Sequence, residues 1–249
     1  MNIIEAYCKV KGKLIILVSG LSGSGKTYVA KNVNNDLKLG YLDLESFRLK
    51  DFNKKIIVTD KLSMINWDDL DSYDWDKFNK EVDVMKHAGV IISGVAFPTA
   101  RINFKSDVHV HVKVKRQDLI DNRRKFIRKH PDKCEKFIKL IGTPEENAYI
   151  NKIVYPEYMK NIEASHIDRF IGGNLEEICD QTFEFIIKRV QGYLDNHNKE
   201  LTNKKKKFHM YDDTGYYGLA VPIDPDDFDE PQTDKYPIKD FENKFVGVE

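Results

Sequence analysis

The chain has 249 residues, with 40 basic and 40 acidic side chains, 41% hydrophobic residues and 11% aromatic residues. This length suits one large α/β domain or two small ones, and the aromatic content argues against a disordered chain. The balanced charge argues against a nucleic-acid coat protein or a polybasic membrane binder. The three cysteines, Cys8, Cys134 and Cys179, lie far apart and indicate neither a disulfide framework nor a zinc site. No apolar run approaches the ~20 residues of a membrane span, so we expect a soluble cytoplasmic protein with reduced thiols.

Strand-like and helix-like segments alternate along most of the chain. The continuous apolar runs at 13–19 and 89–93 are typical of strands buried on both faces of a parallel sheet. In chain order, we predict strands at 13–19, 39–43, 55–59, 89–93, 108–114 and 169–171. We predict helices at 26–37, 74–87, 117–129, 156–163 and 175–194. The alternation indicates a three-layer α/β domain with a parallel sheet over residues 1–199.

The composition changes after residue 199. Residues 200–249 hold 12 acidic and 7 basic side chains and four of the eight prolines. We predict an irregular, acidic and proline-rich C-terminal extension over this range. Two readings stay open: the extension contacts the basic part of the domain or a partner, or it is simply solvated.

A glycine-rich motif follows the first predicted strand and precedes the first predicted helix. Its sequence, Gly20-Leu-Ser-Gly-Ser-Gly-Lys-Thr27, matches GxxxxGK[ST], the phosphate-binding loop of P-loop proteins. Glycines let backbone N–H groups approach phosphate oxygens, Lys26 would reach the β- and γ-phosphates, and Thr27 would bind Mg²⁺. The sequence therefore predicts binding of ATP or GTP with Mg²⁺. The candidate nucleotide-binding residues are Gly20, Ser22, Gly23, Ser24, Gly25, Lys26 and Thr27.

Carboxylates end the second predicted strand. Asp43 and Glu45 are two residues apart and share one face of an extended segment. The carboxyl ends of strands in such a sheet lie beside the nucleotide, so either carboxylate would accept a hydroxyl proton or hold Mg²⁺. A surface carboxylate pair is the alternative.

Two further segments have a functional and a structural interpretation. Trp67 and Asp68 would stack on a ring and bind a sugar diol, or this acidic stretch is only the capped start of a helix. Arg124 and Arg128 share a helix face and would close over the phosphates as a lid, or they form a solvated basic face.

The order of these segments resembles the uridine kinase branch of the P-loop small-molecule kinases, which includes nicotinamide riboside kinases. The resemblance runs from about residue 13 to 192, through the phosphate loop, Glu45-Ser-Phe47, Asn66-Trp-Asp68, Ile92-Ser-Gly94, Arg123 to Arg128, Tyr155-Pro156 and Asp168 to Asn174. It implies a P-loop NTPase fold with an arginine lid. It also implies ATP-dependent phosphorylation of a ribose 5′-hydroxyl with Mg²⁺.

The resemblance also implies roles for individual residues. The catalytic base falls on Glu45, where the family has Asp, and Asp43 is a competing candidate. The substrate-binding residues are Trp67, Asp68 and Phe47. Thr27 and Glu45 would bind Mg²⁺. The catalytic set is completed by Lys26, Arg124 and Arg128.

Two departures from the family pattern bear on activity and substrate. Ser93 stands where the family has a glutamate near the magnesium, and residues 81–89 form a short segment without a convincing base-contacting histidine. We expect a uridine or cytidine kinase; the alternatives are a nicotinamide riboside kinase and a catalytically impaired nucleotide-binding protein. A GTPase switch is disfavoured because no Asn-Lys-x-Asp signature occurs. The expected partner is a small-molecule nucleoside, not a nucleic acid or a membrane, and the oligomeric state is open.

Overall fold

The structure, a computed structural model, describes residues 2–60, 62–131 and 135–219, without the side chains of residues 135–136 and 204–219. The helices are α1 (Ile3–Lys11), α2 (Lys26–Leu37), α3 (Trp75–Met85), α4 (Arg116–Lys129), α5 (Glu135–Ile138), α6 (Pro144–Tyr149), α7 (Tyr155–Glu163) and α8 (Leu175–Leu219). The strands are β1 (Ile15–Ser19), β2 (Gly40–Asp43), β3 (Lys55–Thr59), β4 (Leu62–Ile65), β5 (Val90–Gly94), β6 (Val108–Lys113) and β7 (Arg169–Gly172).

Within the described residues, five strands form one parallel sheet in the order β2-β5-β1-β6-β7. The prediction of a parallel α/β sheet is confirmed. Because all five strands run the same way, their carboxyl ends meet at one edge, where ligands bind in such sheets. The register places Asp43 beside Ser93 and Ser19 beside both Gly94 and His111.

The two faces of the sheet have separate hydrophobic cores, because neighbouring side chains on a strand point to opposite faces. Ile16 and Val18 of β1 pack with apolar residues of α1, α2 and α8. Ile15 and Leu17 pack with Phe78 of α3 and with other residues of the opposite face. Helices on both faces make the predicted three layers.

A second, two-stranded antiparallel sheet is formed by β3 and β4. Strand β3 was predicted, and β4 was not. Val58 and Met64 of this hairpin pack on Leu21 of the phosphate loop and on Tyr149 and Val154. The hairpin is therefore held against the phosphate loop and against the segment that contains Tyr149 and Val154.

The predicted strands and helices are all present within two residues of their expected ends, apart from the end of α8. Residues 200–219, which we predicted to be irregular, continue this helix. The first proline after Pro156 is Pro222, so the chain between them has no residue that forces a helix to stop. Residues 220–249 and Cys134 lie outside the described residues.

Helix α1 was not predicted from the sequence. Its first turn has a capping box in which the Asn2 side chain accepts from Glu5 N–H and the Glu5 side chain accepts from Asn2 N–H. Ile4 and Tyr7 bury the inner face of the helix. The Asn-x-x-Glu spacing before an apolar turn was a usable signal that we did not apply.

The chain divides into two compact units, residues 1–194 and 195–249. The first unit holds both sheets and every candidate site residue. The described part of the second unit, residues 195–219, is the last part of α8. No helix in the described parts of the chain is long and apolar enough to cross a membrane.

Candidate active site

The phosphate loop connects β1 to α2 at the carboxyl edge of the sheet. Gly23 and Gly25 have φ angles of +94° and +87°, in the left-handed region that favours glycine. A Cβ at Gly20 would lie 2.4 Å from Ser24 Oγ, and a Cβ at Gly23 would lie 2.9 Å from Arg123 Cγ. The glycines of the motif are therefore required by backbone conformation and by close packing, as a phosphate-binding turn demands.

Lys26 begins α2 and is only 7% exposed. Burial lowers the pKa of its ammonium group, while the negative charges of Glu45 and Asp43 act in the opposite direction. Lys26 thus lies in the field of both candidate carboxylates. A buried cation at the start of this helix suits the binding of a phosphate chain.

Thr27 follows Lys26 in the first turn of α2 and is partly exposed, as is Ser22 of the loop. The described residues contain no group of three or more His, Cys, Asp and Glu side chains that could hold a metal ion. Mg²⁺ in kinases is usually held by one or two protein ligands together with phosphates and waters. The hydroxyl of Thr27 with one carboxylate from Asp43 or Glu45 fits that pattern, and Mg²⁺ bound there would neutralise phosphate charge.

Glu45 lies in a 3₁₀ turn, Leu44–Phe47, directly after β2. Arg48 Nε donates to Glu45 Oε2 at 2.7 Å, and Tyr73 Oη donates to Glu45 Oε1 at 2.8 Å. Burial raises the pKa of Glu45, but the charges of Arg48 and Lys26 and these two hydrogen bonds outweigh it. The pKa of Glu45 therefore lies below its ordinary value, and the group is an ionised carboxylate at neutral pH.

Asp43 has a different role in the same turn. Its Oδ1 accepts the backbone N–H of Glu45 at 3.1 Å, which caps the turn. The hydroxyls of Tyr41 and Ser93 are 2.8 Å apart, and Tyr41 Oη also donates to Asp43 Oδ2 at 3.4 Å. Ser93 is fully buried, so its hydroxyl bonds to Tyr41 inside the sheet edge.

Asp68 lies between a hydroxyl and a guanidinium group. Tyr149 Oη donates to Asp68 Oδ2, and Arg123 Nη1 is 4.0 Å from Asp68 Oδ1. Tyr149 is the last residue of α6 and is followed by a π-helical stretch, Ile150–Val154, a feature frequent at functional sites. The carboxylate is thereby held in a fixed orientation with polar partners on both sides.

Two of the predicted substrate contacts are placed differently from expectation. The Arg48 guanidinium carbon is 5.6 Å from the ring centroid of Trp67, and the ring of Phe52 is 5.6 Å from it at a tilt of 45°. Phe47 is 8% exposed and packs edge-on to Phe78 in the core. Phe47 ends the 3₁₀ turn and packs in the core between α3 and the sheet, a position that does not favour its predicted role in substrate binding.

Helix α4 contacts the phosphate loop, but the arginine at this contact is not one that we predicted. Asn122 Nδ2 donates to Gly23 O at 3.1 Å, and Arg123 packs on Gly23. Arg123 Nη1 is buried and has no hydrogen-bond partner among the described residues. Arg124 instead donates to Glu146 from Nε at 3.1 Å and from Nη2 at 2.6 Å, and Arg128 is exposed.

For a phosphoryl-transfer site, replacing Arg123 by Met is expected to lower kcat by about 100-fold, because the site would lose the buried guanidinium between the phosphate loop and Asp68. Arg124→Met and Arg128→Met are the matched variants on the same helix and should cost less. Steady-state kinetics of the three variants measures how much each replacement lowers kcat. A larger loss in Arg124→Met or Arg128→Met than in Arg123→Met would contradict this expectation.

A buried hydrogen-bond chain lies behind the phosphate loop. Ser19 Oγ is 2.7 Å from His109 Nε2 and 2.8 Å from His111 Nδ1. His109 Nδ1 is 2.6 Å from the carbonyl oxygen of His166, and His111 Nε2 is 2.7 Å from Tyr158 Oη. Burial lowers the pKa of His109 to about 4 and that of His111 to about 3. Both rings are therefore neutral at pH 7.

The neutral rings fix the direction of every bond in this chain. A carbonyl oxygen only accepts, so His109 Nδ1 carries the proton and Nε2 accepts from the Ser19 hydroxyl. Ser19 Oγ then accepts from His111 Nδ1–H, which leaves His111 Nε2 to accept from Tyr158. The chain joins α7 to the last residue of β1, directly before Gly20.

Sequence reasoning missed Arg48, Tyr73, Arg123 and Tyr149. Arg48 is three residues after Glu45, and that spacing was a usable signal for an ion pair. Tyr149 and Tyr73 meet the carboxylates across 81 and 28 residues of chain. No local pattern in the sequence marks such distant pairs.

No protein-family model matches the chain, and no curated protein matches it. Among solved structures, a sugar kinase from Janibacter sp. is 16% identical with a TM-score of 0.42, over 72% of this chain and 95% of that chain. A gluconokinase from Sinorhizobium meliloti is 12% identical with a TM-score of 0.44, over 76% and 98%. A shikimate kinase from Acinetobacter baumannii is 18% identical with a TM-score of 0.42, over 76% and 98%.

Proposed function

We propose that the chain is an ATP-dependent kinase that transfers the γ-phosphoryl group to a hydroxyl of a small molecule. One observation supports this most directly. Arg123 packs on Gly23 of the phosphate loop at its Cγ and approaches Asp68 at its Nη1. One side chain thus connects the phosphate side with the proposed acceptor side, as an in-line transfer requires.

The proposed mechanism uses the charges around this contact. Glu45, ionised at neutral pH, takes the proton of the attacking hydroxyl. Lys26 holds the phosphate chain, and Arg123 stabilises the charge that develops on the transferred group. Asp68, oriented by Tyr149, binds a neighbouring pair of substrate hydroxyls. Closure of α4 over the loop excludes water, which would otherwise compete as acceptor.

For the acceptor, we propose first a nucleoside, phosphorylated at its ribose 5′-hydroxyl, with uridine or cytidine preferred to nicotinamide riboside. Asp68 with Tyr149 suits a ribose diol. A sugar or polyol without a base is the second candidate. It is favoured by the position of Arg48 over the ring of Trp67, which leaves less of the indole for stacking on a base.

A turnover assay tests both the proposed kinase activity and the proposed acceptor. ADP formation is measured with ATP, Mg²⁺ and a panel of uridine, cytidine, nicotinamide riboside, gluconate and simple sugars, with Lys26→Met as the control without phosphate binding. We expect acceptor-dependent ADP formation that Lys26→Met abolishes. Preference for a sugar would select the second candidate. ATP binding without acceptor-dependent turnover would instead favour an impaired nucleotide-binding protein, which Ser93 in place of a carboxylate would suit.

A further inference from the structure

Arg48 follows the turn that carries Glu45, and its guanidinium group is bonded on several sides. Nε donates to Glu45 Oε2 at 2.7 Å, and Nη2 donates to Tyr73 Oη at 2.8 Å. Nη1 donates to the carbonyl oxygen of Trp67 at 2.6 Å and to Ser72 Oγ at 2.9 Å. Four partners on two chain segments therefore determine the position of one side chain.

The rings on either side restrict this guanidinium group further. Its central carbon is 4.5 Å from the ring centroid of Tyr73 and 5.6 Å from that of Trp67. Backbone contacts also join the two segments. Arg48 pairs with Tyr73 in an isolated antiparallel bridge, and Leu49 N–H donates to Ser72 O at 2.8 Å. A planar fork with fixed donors suits such a site, and a lysine ammonium could not reproduce it.

The two segments that Arg48 joins carry the two proposed acceptor-side carboxylates. Glu45 belongs to the turn after β2, and Asp68 follows Trp67, whose carbonyl oxygen accepts from Arg48. Tyr73 accepts from Arg48 and donates to Glu45, so both oxygens of Glu45 depend on the same guanidinium group. The spacing between the base and the diol-binding carboxylate is set by these contacts.

We infer that Arg48 is a positioning residue: it holds the Glu45 carboxylate in a fixed orientation and at a fixed separation from Asp68. This inference rests on the proposed kinase function for its kinetic meaning, but its structural content does not need turnover. Arg48 is bonded directly to Glu45 and to the Trp67 carbonyl oxygen, and we assign its effect to these two segments. A displacement of about 1 Å in such a pair lowers catalysis by up to 100-fold.

The experiment compares Arg48→Gln and Arg48→Lys with Arg101→Lys. Arg101 is the control because it makes an exposed ion pair with Asp71, on the same segment but away from Glu45. We expect Arg48→Gln to lower kcat at least about tenfold with KM for ATP unchanged, and Arg48→Lys to restore part of it. Arg101→Lys should leave kcat and the KM for ATP unchanged.

A second readout separates failure of the inference from failure of the proposed function. The separation of the Glu45 and Asp68 carboxylates is measured in crystal structures of the wild type and both Arg48 variants. A displaced Glu45 carboxylate in Arg48→Gln, with a smaller displacement in Arg48→Lys, supports the inference even if no acceptor is turned over. An unchanged separation in folded Arg48→Gln, or equal losses of kcat in Arg48→Gln and Arg101→Lys, would overturn it.

Discussion

Glu45→Gln is expected to lower kcat by about 1,000-fold while ATP binding is retained, within the range for loss of a general base. The amide keeps the size of the side chain but cannot take the hydroxyl proton. Glu45 is the stronger candidate because the field of Lys26 and Arg48 keeps it ionised beside the phosphate loop. Steady-state kinetics with the preferred acceptor gives kcat, and a fluorescent ATP analogue gives nucleotide affinity.

Asp43→Asn is the matched variant, because these two carboxylates compete for the role of base. Asp43 Oδ1 accepts the Glu45 N–H, and an asparagine oxygen can do the same, so the turn should persist. We expect a much smaller loss of kcat than for Glu45→Gln. If Asp43→Asn is the more damaging change, the base is Asp43 and Glu45 has only a supporting role.

Acidification from pH 7 to pH 5 is expected to reduce the free energy of unfolding by about 4 kcal/mol, half from each of His109 and His111. Burial lowers their pKa values to about 4 and about 3, so the unfolded chain binds these two protons first, near pH 6.5. The stabilising contribution is thus fully present above pH 6.5 and is lost as the pH falls toward the folded-state values. Urea unfolding at a series of pH values measures the slope.

Single replacements test whether His109 and His111 cause this pH dependence of the free energy of unfolding. His109→Gln and His111→Gln should each remove about half of the pH dependence, whatever their effect on stability at pH 7. His166→Gln is the control, because its imidazole is 74% exposed and only its backbone carbonyl joins the chain. Equal slopes in wild type, His109→Gln and His111→Gln would show that other groups cause the acid sensitivity.

The layout of the fold could be read from local patterns, because each pattern reports a local physical constraint. Strands β1 and β5 are rich in Ile and Val and buried along their whole length, and the glycine-rich motif matches the phosphate-binding turn of P-loop proteins. The extent of α8 was not predictable in this way, since acidic and lysine-rich composition is compatible with both helix and irregular chain. Helix α1 begins with a capping box of Asn2 and Glu5, which is a local sequence feature and therefore predictable.

The candidate site was only partly predictable for a different reason. Glu45 was proposed from its place just after a predicted strand, and Asp68 from its neighbour Trp67 and the family resemblance. Which arginine meets the phosphate loop depends on the rotation of α4 about its axis, and Arg123 and Arg124 are adjacent residues that point in different directions. Glu146 fixes that rotation by binding Arg124. This contact between α4 and α6 determines which arginine faces the phosphate loop. It cannot be predicted from the spacing of residues in the sequence.

The one-way hydrogen-bond chain behind the phosphate loop gives the protein a spectroscopic fingerprint. The Nδ1 protons of His109 and His111 are buried and hydrogen-bonded, so they should exchange slowly with solvent and give resolved imidazole proton resonances. Ser19 Oγ accepts one of these protons and lies directly before Gly20. Nucleotide binding at the loop should therefore shift the His111 Nδ1 proton resonance. This shift would report the binding of any nucleotide at the loop, even one that is not turned over.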